Sequence, residues 1–131
     1  MNWEEIVGQK KVIETLKDAI DKERVGHAQL FIGEEGFGVL PLALAYAKEI
    51  LKRENEHAAS KVEHLNHLDL HFSFPVFTEK NNSLSQRLFE DFRNMILENP
   101  YASINDWNEV LDAQNKQLFI SADEVDALNQ K

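Results

Sequence analysis

Ala28-Gln29-Leu30-Phe31-Ile32-Gly33-Glu34-Glu35-Gly36-Phe37-Gly38, running on into Val39-Leu40-Pro41-Leu42-Ala43-Leu44-Ala45-Tyr46, is the stretch on which the fold turns. Residues 28–32 form a brief apolar run halted by glycine, which reads as a buried strand. Three of the five glycines of the chain then fall within residues 33–38. Residues 39–52 are nearly all apolar and rich in alanine and leucine, which favour helix. Pro41 is tolerated there because it falls in the first turn. A helix apolar on almost every side is one covered by other elements. Strand, glycine-rich turn and buried helix together predict an α/β fold.

Working outward, residues 9–24 place Val12, Ile13, Leu16, Ala19 and Ile20 at helical spacing, between Gly8 and Gly26 as start and stop signals. Residues 52–70 are polar and irregular, and His57, His64, His67 and His71 cluster in or beside them. Phe72, Phe74 and Val76 alternate as a strand does, and Pro75 places that strand at an edge. A polar loop over residues 78–85 leads to Leu88, Phe89, Phe92, Met95 and Ile96, an amphipathic helix ending before Pro100. Ile104, Trp107, Val110 and Leu111 suggest a shorter helix. Ser121 and Glu124 have the spacing of a capping box, opening a helix with Val125 and Leu128 on its apolar side.

The 131 residues suit one domain, and 43% hydrophobic with 28% charged residues is the composition of a folding chain. Fourteen lysines and arginines stand against 23 acidic residues, a formal charge of −9. Duplex binding draws on lysines and arginines to neutralise phosphates, so this chain is a poor nucleic-acid binder by itself. With no cysteine, disulfides, thiol nucleophiles and zinc-thiolate sites are excluded. The N-terminus lacks the layout of a signal peptide, and no apolar run is long enough to span a membrane. A cytoplasmic location is the expectation.

Gly33 and Gly38 have the spacing of the phosphate-binding loop G-x-x-x-x-G-K-[ST], in which lysine reaches the phosphates and the hydroxyl holds magnesium. Val39 and Leu40 replace those two side chains, while Glu34 and Glu35 add negative charge where a triphosphate would lie. Gly33, Gly36 and Gly38 are therefore the candidate nucleotide-cradling residues of a degenerate P-loop. No bound cofactor and no catalytic residue are expected. The plainer reading of the same glycines is a tight turn into a helix. The four histidines are loosely spaced for a metal site, and no metal is expected. The pairs Glu90-Asp91 and Asp123-Glu124 show nothing that would split their pKa values for acid–base work. Trp3, Tyr101 and Trp107 lack the basic neighbours of a single-strand stacking platform, which favours core packing or a subunit contact.

Trp3-Glu4-Glu5-Ile6-Val7-Gly8-Gln9, followed by a helix and then by His27-Ala28-Gln29-Leu30-Phe31-Ile32-Gly33-Glu34-Glu35-Gly36-Phe37-Gly38, resembles the start of clamp-loader AAA+ subunits. Within that family the likeness is to the delta-prime type from bacterial DNA polymerase III. His67-Leu68-Asp69-Leu70 resembles the family's His-Pro-Asp segment with Leu68 for proline, and Ile120-Ser121-Ala122-Asp123-Glu124-Val125 resembles the segment before its Walker B strand. The likeness runs the length of the chain. It implies a three-layer AAA+ P-loop NTPase fold around a parallel sheet. Residues 1–131 would be the N-terminal portion of that domain, ending before Walker B and leaving a sheet edge open to self-association. A defective loop at Val39 and Leu40 lies within the delta-prime pattern, and the cysteine zinc module of the hydrolysing gamma/tau subunits is missing. The role implied is a non-catalytic subunit of the polymerase III holoenzyme in DNA replication. It would pack against gamma/tau and delta subunits and reach the sliding clamp and primed DNA through the complex. The alternative within the family is an ATP-hydrolysing subunit.

Overall fold

The computed structural model describes residues 1–112 and 116–131. Their contacts gather into two compact units, Met1–His67 and Leu68–Lys131. The first unit holds α1 (Lys10–Asp21), α2 (Val39–Glu54) and α3 (Ala58–Glu63) behind a short 3-10 turn at Trp3–Glu5. The second holds a 3-10 turn at Ser85–Leu88, then α4 (Phe89–Glu98), α5 (Ile104–Leu111) and α6 (Ala122–Asn129).

The expected α/β architecture, an AAA+ P-loop fold layered on a parallel sheet, does not hold. Among the described residues there is no β-strand, and the pairing is confined to isolated bridges at Val76–Phe119 and Glu79–Asn82. A strand exists only through hydrogen bonds to a neighbour, whereas a helix closes its own bonds locally. Residues 29–32 make no backbone hydrogen bond to another described segment, so the run expected to be a buried strand lies open, with Leu30 and Ile32 84% and 86% exposed. Residues 72–76 keep the alternation of a strand, since Phe74 and Val76 are buried while His71 and Ser73 are exposed. Their pairing is limited to the two 3.0 Å bonds that Val76 exchanges with Phe119.

The helices fall where the apolar spacing puts them. In α1 the apolar stripe includes the buried Ile20, and the helix is entered through Gly8 and Gln9, both left-handed at φ +69° and +58°. In α2 Pro41, Leu42, Leu44, Ala45 and Tyr46 are buried, which accounts for its apolar character on several sides. Ile6, Leu42 and Ala45 form a core cluster on which Met1, Trp3, Ile13, Leu16 and Phe31 pack. The polar stretch after α2 conceals α3, whose buried Ala58 and Val62 are followed by the buried Leu65 at φ +54°. Lys48 of α2 ties the N-terminal segment to α3 by bonding both Asn2 Oδ1 and the Glu63 carboxylate, and that pairing holds the Glu63 carboxyl below its ordinary range.

In the second unit the Phe74 and Phe92 rings stack at 4.1 Å, and Trp107 meets them edge-on at 5.3 and 5.6 Å. Trp107 is 2% exposed and donates Nε1–H to the Pro75 carbonyl at 2.8 Å. The tryptophan is core, as its lack of basic neighbours suggested. Among the described residues no helix is long and apolar enough to cross a membrane.

Candidate functional site

The glycine loop is built by two constraints. Gly38 caps α2 at φ +94°, a backbone state that side chains rarely adopt, and its carbonyl accepts the Leu42 amide at 3.0 Å. Gly36 stands at φ +81° with open space around it, in a turn closed by the Phe37 amide on the Glu34 carbonyl at 3.2 Å. Gly33 is needed for a different reason: a Cβ there would lie 2.5 Å from Cγ2 of Val39. The three glycines thus lie on one loop into α2, with Gly33 just before the Glu34–Phe37 turn and Gly38 just after it, and no strand leads into it. A strand-fed P-loop is the feature that the fold corrects.

Val39 decides what the turn can do. It stands where a phosphate-binding loop carries lysine, and its methyl group packs down over Gly33. The helix N-terminus still offers a partial positive charge of roughly half a unit. Its first turn contains Pro41, which has no N–H to present. The exposed Glu34 and Glu35 add negative charge beside it. Beside the turn lies a cavity of about 280 Å³, lined mainly by apolar side chains that include Val12, Leu16, Phe31, Phe37 and Leu42. Phe31 stands 6.0 Å from the Tyr46 ring, and Gln29 Nε2 donates to the Tyr46 hydroxyl at 2.8 Å. Such a surface suits hydrocarbon and repels a polyanion.

Among the described residues no group of three or more histidine, aspartate or glutamate side chains is placed to hold a metal ion. His57 precedes α3, His64 Nδ1 lies 2.7 Å from the Ser60 carbonyl, and His71 is exposed.

A polar centre in the second unit escaped the sequence. Ser121 does cap α6, accepting the Glu124 amide at 3.2 Å, but the Glu124 carboxylate does not return to it. Instead the carboxylate, only 5% exposed, accepts the Ser85 amide at 2.7 Å, the Ser85 hydroxyl, and the Ser73 hydroxyl at 3.0 Å. Burial is the largest influence on this group and pushes its pKa up, yet the Ser85 and Ser73 bonds and the charge of Lys131 together outweigh it and leave it lowered. The partners lie 39 and 51 residues away, beyond any local signal. All its polar contacts are structural. It docks α6 onto the Ser85–Leu88 turn.

A family model described as DNA polymerase III, delta subunit, matches residues 8–131. The delta-prime subunit of DNA polymerase III from Bacillus subtilis (strain 168) is 32% identical over 106 residues, covering 75% of this chain and 32% of that protein. The chain thus spans about a third of the length of this relative. No solved structure matches. With the match running from Gly8 to the final lysine, through both units, this chain belongs to the DNA polymerase III delta-subunit family.

Proposed function

We propose that the chain acts in DNA replication as a non-catalytic, delta-prime-like clamp-loader subunit in the cytoplasm. It would contribute binding surface to gamma/tau and delta subunits and meet the sliding clamp and primed DNA only through that assembly. The observation that carries this reading is Val39 packed over Gly33 in a chain of this family, where a nucleotide-hydrolysing subunit needs lysine. Phosphoryl transfer depends on positioned cations and a metal ion, and the turn offers valine, leucine and two glutamates instead. The formal charge of −9 agrees with a part that faces protein rather than DNA.

The test is reconstitution with cognate gamma/tau and delta subunits, followed by size-exclusion chromatography and a titration with fluorescent ATP. Co-elution with the assembly is expected, together with no saturable nucleotide binding by the isolated chain at micromolar concentration. Failure to co-elute overturns the subunit role. Tight magnesium-dependent nucleotide binding overturns the non-catalytic reading in favour of an ATP-hydrolysing subunit.

A further inference from the structure

We draw no further inference here: the strongest candidate, the apolar cavity beside the glycine loop with the open run of residues 29–32 along its wall, carries nothing, since nothing in the structure shows what covers it in a chain that spans about a third of its relative.

Discussion

Val39 and Gly33 form a matched pair, and each explains the other. A β-branched side chain on a helix has little rotamer freedom, so Val39 cannot swing away from a methyl group added opposite it. Gly33→Ala should therefore destabilise the first unit by about 1–3 kcal/mol, the usual cost of overpacking, read as a lowered urea midpoint. Gly33→Ala combined with Val39→Ala should recover most of that loss, and a double variant as unstable as the single one would break the pairing argument. Glu124 poses the opposite case, a charge held by donors. Glu124→Ala strands the buried Ser85 amide and hydroxyl and should cost about 1–3 kcal/mol or more. The folded-state pKa of Glu124 lies below the ordinary value of 4.5. Its stabilisation is then complete above that value and disappears as pH falls through the lower, folded-state pKa. Comparing urea midpoints from neutral to acid pH, Glu124→Gln should lose part of the acid dependence of the unmodified chain. An identical pH profile for the two would remove the carboxylate from the account.

At the scale of elements, α1, α2, α4 and α5 were legible because helical bonds and helical periodicity are both local. Ile13, Leu16 and Ile20 announce one face of α1, and Ile104, Trp107, Val110 and Leu111 announce α5, whose opening Ser103–Asp106 capping box is a finding of the structure. There the Asp106 amide meets Ser103 Oγ at 3.2 Å and the Ser103 amide meets the carboxylate at 2.6 Å. Those two Ser103 bonds hold the Asp106 carboxyl below its ordinary range. Ser103→Ala should shorten α5 at its start and cost about 1 kcal/mol, visible as a small loss of helical signal and of thermal midpoint. The segment at residues 28–32 was not legible in the same way. Its composition states that it could be a strand, but the partner that makes one is not a local property, and Leu30 and Ile32 lie exposed without it. Helix α3 was hidden for a related reason, since six residues with two buried apolar side chains show no period against a polar background.

The whole chain gathers into two units, and each carries one of the two tryptophans, Trp3 in the first and Trp107 in the second. Trp3→Phe and Trp107→Phe variants therefore leave a single fluorescent reporter in one unit or the other. Glu124→Ala, whose lost bonds all lie within Leu68–Lys131, should lower the unfolding midpoint reported by Trp107 and leave that of Trp3 in place. Equal shifts in both reporters would show that the two units unfold as one. Length and charge alone suggested one body facing protein partners; neither number distinguishes one core from two. That division depends on which buried side chains find each other, Ile6 with Leu42 and Ala45 in one place, Phe74 with Phe92 and Trp107 in another.

The last of these clusters has a use in magnetic resonance. Protons on the Phe92 ring lie within the ring currents of both Phe74, stacked at 4.1 Å, and Trp107, set nearly perpendicular at 88°. Their resonances should stand away from the crowded aromatic region, sharp and dispersed, and collapse into it when the second unit melts. A one-dimensional proton spectrum thus becomes a native-state gauge for that half of the chain, without labels and without any partner present.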